Sequence, residues 1–217
     1  MDTKVLNQQS QHWEKNFSNK PEMFGIEPSL PSKKALKLFQ ENKISEVVEI
    51  GAGLGRDTIF FANNSIQITA LDYSPSGIKA INKKAEKQNL TNLISTKIFD
   101  IRKKLPFKDN SIEACFSHML YCMALTSIEL EKLNNEICRI LKPGGINIYT
   151  VRHVGDGDYK RGIHRGEDLY ENEGFVVHFF SKDKVNSLLK GFKNLNIENF
   201  EEGSFPRKLF IVCNKKI

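Results

Sequence analysis

A chain of 217 residues with 40% hydrophobic side chains has the length of one domain and the apolar mass for one large core. Its formal charge of +6 sits in lysine pairs such as Lys33-Lys34, Lys83-Lys84 and Lys103-Lys104, without the interleaved aromatics of a nucleic-acid surface, so nucleic acid is not an expected partner. No apolar run reaches the ~18 residues that span a bilayer, and the polar stretch Met1–Gln9 lacks the centre of a secretory signal. The four cysteines (Cys115, Cys122, Cys138, Cys213) form no C-x-x-C pair. Free thiols, no metal, no membrane and a cytoplasmic location are therefore expected.

Residues 1–43 carry Trp13, Phe17, Met23 and Phe24 ahead of a helix over roughly Ser32–Gln40. Ile44–Ile50 is a β-branched run ending in glycines and predicts the first strand. A helix follows over Leu54–Asn63, then a strand at Ile66–Leu71. Ser74-Pro75 pairs an N-cap residue with proline at the first helical position, and Ile78, Ile81 and Ala85 give that helix a buried face. Strands are expected at Leu93–Phe99 and Ile112–Ser117. Thr126-Ser127 opens a helix with Leu130, Leu133, Ile137 and Leu141 on one stripe; Pro143-Gly144-Gly145 stops it before a strand at Ile146–Val151. Residues 152–180, rich in Gly, His, Arg and Asp, read as an irregular insert. Ser181 caps a helix through about Lys190. Leu195–Phe200 and Lys208–Val212 then lie too close for an intervening helix and must pair antiparallel.

This alternation predicts an α/β fold: a Rossmann-like, doubly wound, seven-stranded sheet, mostly parallel with a C-terminal antiparallel strand. One domain is expected over 1–217, with a helical N-terminal lid at 1–43 and a substrate-side insert at 152–180. Ligands of such sheets bind beyond the carboxyl ends of the strands.

The informative residues fall there. The first strand runs into Gly51-Ala52-Gly53-Leu54-Gly55, where glycines permit positive φ and close approach of a ligand to bare backbone. The second strand ends at Asp72, placed to meet the hydroxyls of a ribose. A nicotinamide dinucleotide site shares both features, but its third glycine would fall on Arg56, and Glu49 would set a charge beside the pyrophosphate. Glu49 suits a cationic ligand better.

With these residues in view, the chain resembles the class I S-adenosylmethionine-dependent methyltransferases, in particular the small-molecule subgroup. The first motif of that family reads here as Val48-Glu49-Ile50-Gly51-Ala52-Gly53-Leu54-Gly55, its ribose acid as Asp72 followed by Tyr73, its adenine aspartate as Asp100 in Phe99-Asp100-Ile101, and its turn before the fifth strand as Leu141-Lys142-Pro143-Gly144-Gly145. The resemblance implies S-adenosylmethionine as cofactor and S-adenosylhomocysteine as product. It implies cofactor contacts from Glu49, Gly51, Ala52, Gly53, Asp72, Tyr73, Ser74, Asp100, Ile101 and Ser117. In that reading Asp72 accepts from both ribose hydroxyls, Asp100 from the adenine amine, and the Ile101 N–H donates to the ring. Trp13, Phe17 and Phe24 are similar to an aromatic lid of such enzymes.

Methyl transfer needs donor and acceptor held in line, with a base only where the acceptor sheds a proton. His118, Tyr121 and His153 are the catalytic candidates, following the fourth and fifth strands. Arg152, His164 and His178 are further candidates for acceptor contact, and Arg152, Arg165 and Arg207 for an anionic group. The turn Ser117-His118-Met119-Leu120-Tyr121 differs from the Asn/Asp-Pro-Pro-aromatic turn that methylates nucleobase amines. The expected activity is methylation of a small molecule by a monomer or homodimer. An RNA methyltransferase, a non-catalytic cofactor binder and a nicotinamide dehydrogenase remain as alternatives.

Overall fold

A computed structural model of the chain describes residues 3–203 and 207–217. The elements run α1 (Thr3–Asn19), α2 (Leu30–Glu41), β1 (Glu46–Ile50), α3 (Arg56–Asn63), β2 (Gln67–Asp72), α4 (Pro75–Lys87), β3 (Ile94–Ile98), β4 (Ile112–Ser117), α5 (Ser127–Ile140), β5 (Leu141–Arg152), β6 (Ile163–Gly166), β7 (Leu169–Asn172), β8 (Phe175–His178), α6 (Lys182–Ser187), β9 (Phe192–Glu202) and β10 (Arg207–Lys216).

Seven strands form one sheet in the order β3-β2-β1-β4-β5-β10-β9. β1 to β5 are parallel; β10 runs antiparallel to both β5 and β9, as the closing hairpin of the sequence requires. Order reverses between β1 and β4, which makes their carboxyl ends the crevice of the fold.

Successive residues of a buried strand face opposite layers, and β1 shows it directly. Val47 packs with Phe39 of α2, Ile59 and Phe61 of α3 and Ile81 of α4, while Val48 packs with Leu130, Leu133 and Ile137 of α5 and Val185 of α6. A third, smaller cluster joins Leu6 of α1, Ala124, Leu169 of β7 and Val176 of β8.

Caps set the helix ends. Ser74 Oγ accepts the Gly77 N–H, and Thr126 with Glu129 forms a capping box. α3 begins at Arg56 rather than Leu54, because Gly55 stands at the cap with φ +78°. Leu141 leaves the stripe expected for it: the helix ends at Ile140, and Leu141 has extended backbone. α6 stops at Ser187, three residues short of Lys190.

The N-terminal segment holds the 17-residue α1, with Trp13 and Phe17, and then α2; Met23 and Phe24 lie in the turn after α1. One region is more regular than expected. The insert at 152–180 is not irregular, for it holds β6, β7 and β8 as an antiparallel sheet. Four-residue strands carry too few alternations to stand out in a sequence. Ser204-Phe205-Pro206, in the hairpin connection, and Met1-Asp2 lie outside the described residues.

Candidate functional site

The loop after β1 turns on Gly51, Gly53 and Gly55, with φ of +75°, +54° and +78°. Side chains other than glycine rarely hold three such angles in five residues. The loop is pinned to β2: the Gly51 and Ala52 N–H groups donate to Leu71 O at 2.8 and 3.1 Å, and Gly53 N–H donates to Asp72 Oδ2 at 2.8 Å. Asp72 Oδ1 accepts the Ser74 N–H at 2.9 Å. The first turn of α4 lies against the loop, so that a Cβ on Gly77 would sit 2.6 Å from Gly53 O.

Carboxylates gather beneath this loop. Glu49 is buried and accepts from Thr58 Oγ1. Burial, joined by the charge of Asp57, pushes its carboxyl well above the usual range. Burial also raises Asp72 to about 6, against the lowering effect of the Ser74, Gly53 and Tyr73 backbone N–H groups. Ser117, at the end of β4, is buried with its Oγ unpartnered among the described residues. Buried acids and an orphaned hydroxyl suit a ligand that brings positive charge and hydroxyl donors. S-adenosylmethionine brings both, so the residues present fit the cofactor that the motifs imply.

Tyr73, Asp100, Ile101 and Arg102 line a cleft together with Leu120 and Leu125, and Leu6, Gln9, Ser10 and Trp13 bring α1 into its wall. The cleft encloses about 30 Å³. Asp100 is not free in it. Arg102 grips its carboxylate from Nε at 3.0 Å and Nη2 at 2.7 Å, and also donates from Nη1 to Asn7 Oδ1 at 2.6 Å. Burial works against the charge on Asp100, but Arg102 outweighs it and holds the carboxyl below its ordinary value. Glu14 of α1 accepts from Ser74 Oγ, from the Ser76 N–H at 3.2 Å and from Ser76 Oγ at 2.6 Å.

The catalytic candidates separate. His118 lies at the crevice, but both its ring nitrogens are engaged: Nδ1 with Thr150 Oγ1 at 2.9 Å and Nε2 with Glu202 Oε2 at 3.2 Å. Arg56 donates to the other oxygen of Glu202 at 2.9 Å and to Phe24 O at 3.1 Å. Despite burial, His118 and Arg56 bring Glu202 down to about 2. An ionised carboxylate only accepts, so His118 Nε2 carries a proton.

Tyr121 does not face the crevice. It is fully buried, stacked on Tyr149 at 4.2 Å, and its hydroxyl accepts from Asn147 Nδ2 at 3.2 Å. Four residues beyond the end of β4, the direction of a side chain does not follow from the strand, because the chain folds back into the core there. His153 stacks on Phe210 at 4.5 Å and its Nδ1 accepts the Gly155 N–H at 2.9 Å; burial lowers its pKa.

Most of the remaining candidates for acceptor contact are also spoken for. Arg152 is buried against Asp156 and Asp158, and Arg165 pairs with Glu171. His164 donates from Nε2 to Glu167 O at 2.9 Å. His178 is buried, with Nδ1 donating to Leu125 O at 2.6 Å and Nε2 against Lys184 Nζ. Arg207 is exposed at the start of β10. Glu14 and Glu202 carry no signal in the sequence, and Arg56 stands out there only as a departure from a dinucleotide fingerprint; their contacts reach partners 60 to 146 positions away.

Comparison with known proteins agrees with this geometry. Residues 48–149 match the family described as Methyltransferase domain. Phosphoethanolamine N-methyltransferase 1 of Triticum aestivum is 34% identical over 148 residues, 66% of this chain and 26% of that protein, so the match spans about a quarter of that relative. The 1,6-didemethyltoxoflavin-N1-methyltransferase of Burkholderia thailandensis shares the fold over 100% of this chain and 90% of its own, with a TM-score of 0.77 at 14% identity. The N-methyltransferase NodS of Bradyrhizobium japonicum WM9 shares it over 95% and 97%, with a TM-score of 0.70 at 14% identity. No helix among the described residues is long and apolar enough to cross a membrane. Over residues 48–149 the chain is thus similar to the Methyltransferase domain family, and its seven-stranded sheet is the fold of the solved methyltransferases it resembles.

Proposed function

We propose that this protein transfers a methyl group from S-adenosylmethionine to a small molecule. The observation that carries the reading is the closure of the Gly51–Gly55 loop on Asp72, with Glu49 buried beside it, at the switch point of the sheet. Small-molecule methyltransferases among its relatives, such as the phosphoethanolamine enzyme, support the acceptor class.

Asp72, whose oxygens accept the Gly53 and Ser74 N–H groups, would also accept from the ribose hydroxyls. Asp100 and the Ile101 N–H would meet the adenine, with Tyr73 beside the ring. Gly51 O, Ser117 O and Glu49 would face the ammonium end. The cofactor supplies a methyl group already activated by its sulfonium. The chain then contributes position and exclusion of water: Phe17 and Phe24 stand 3.5 and 4.0 Å from the Cβ position of Gly53 and shield the loop. His118, with both nitrogens engaged, acts in this reading by orienting the acceptor wall rather than by taking a proton, and His153 presents an Nε2–H as a donor.

Calorimetric titration with S-adenosylhomocysteine, followed by a screen of amine, hydroxyl and thiol acceptors for its release from S-adenosylmethionine, tests this. Absence of any binding heat ends the reading.

A further inference from the structure

Helix α1 serves two places at once. Its Leu6, Gln9, Ser10 and Trp13 line the cleft of Tyr73, Asp100 and Ile101. Its Asn7 and Glu14 are bonded to Arg102 and to Ser74 and Ser76 at the same cleft.

On its other side α1 is fastened to the small sheet. The Gln9 amide makes the two bonds a parallel neighbouring strand would make: Nε2–H donates to Gly174 O at 2.9 Å, and Oε1 accepts the Val176 N–H at 3.2 Å. The Phe175 ring lies 4.9 Å from Trp13 and 4.4 Å from His12. Leu6 packs with Leu169 and Val176 in the third core cluster. The fit is close enough that a Cβ on Gly174 would stand 2.8 Å from His12 Cε1.

We propose that Gln9 is the positioning residue that couples the donor cleft to the β6–β8 sheet, so that donor binding sets the sheet for an acceptor that binds second. This rests on the methyltransferase reading above. A nucleoside-sized ligand takes a pocket of roughly 300 Å³ or more, so entry into a cleft of about 30 Å³ shifts the α1 side chains that line it. A helix moves as a rigid rod. If the sheet stayed behind, Gly174 O and the Val176 N–H would lose their partner at a buried side chain, which is costly. The sheet therefore follows, and by reciprocity an acceptor resting on the sheet tightens the donor.

Hydrogen–deuterium exchange of the full chain with and without S-adenosylhomocysteine tests it. In the wild type the ligand slows exchange in 169–178 as well as in 49–55 and 72–74. In Gln9→Met the donor segments still respond, 169–178 no longer does, and ligand affinity falls about fivefold or more. A merely structural Gln9 would raise exchange of 169–178 equally with and without ligand. Phe175→Leu, which keeps the amide bonds but removes the ring contacts, weakens the same response and serves if Gln9→Met does not fold. A wild-type response confined to the donor segments, or one at 169–178 unchanged in both variants, overturns the coupling while leaving the function intact. No ligand effect anywhere, with no heat of binding, overturns both.

Discussion

The Gly53 N–H donates to Oδ2 of Asp72 at 2.8 Å, and this bond joins the backbone bonds of Gly51 and Ala52 to Leu71 in tying the glycine loop after β1 to the end of β2. It makes Asp72 a structural acceptor as well as the proposed ribose ligand. Asp72→Ala removes the acceptor of two backbone N–H groups and the ligand contacts together. S-adenosylhomocysteine affinity should fall at least tenfold, about 1.4 kcal/mol, in calorimetry. A change within twofold would mean that the ribose is held elsewhere.

The raised carboxyl of Asp72 gives a pH dependence with two opposite parts. Its folded value is about 6 against about 3.9 unfolded, so between these values the native state holds the extra proton and stability falls as pH rises. Ligand affinity runs the other way, because only the ionised carboxylate accepts freely from hydroxyls. Titrations at pH 5 and pH 8 should show tighter binding at pH 8, and Asp72→Asn should flatten that difference.

His178 works in the reverse sense. Burial, with the charge of Lys184 second, brings it down to about 4, so it is neutral when folded. The stability this contributes is complete above its unfolded value of about 6.5 and is lost as pH falls toward 4, by about 3 kcal/mol. Denaturant unfolding of His178→Gln should show a shallower acid dependence than the wild type. Parallel curves for the two proteins would refute the assignment.

Gly77 is a point at which α4 packs tightly on the Gly51–Gly55 loop. An added methyl would sit 2.6 Å from Gly53 O, and backbone cannot move aside cheaply. Gly77→Ala should therefore lower stability by about 1–3 kcal/mol and weaken the donor, even though alanine favours helices. A raised melting temperature would contradict the packing described.

Tyr121 is a core residue, so Tyr121→Phe should retain methyl transfer within about twofold of the wild-type kcat while costing about 1 kcal/mol of stability for the lost Asn147 bond. A collapse of kcat with unchanged stability would return it to the active site.

How much was legible follows the range of the interactions. Strand β4 was placed at Ile112–Ser117 and the N-caps Ser74, Thr126 and Ser181 were found because each depends on neighbours within a few positions. The insert and α1 were under-read: β6 to β8 are short, and α1 gains its place from Gln9, Glu14 and Asn7 reaching across the molecule.

The parallel sheet with its antiparallel closing strand, the glycine loop and the acid that closes it were written in the chain itself, since β-α-β alternation and positive-φ glycines leave the backbone little choice. Which candidates meet at the crevice was decided only in three dimensions. Side-chain direction beyond a strand end depends on packing from distant segments, and so Tyr121 turned inward, Arg102 claimed Asp100, and Glu202 arrived beside His118.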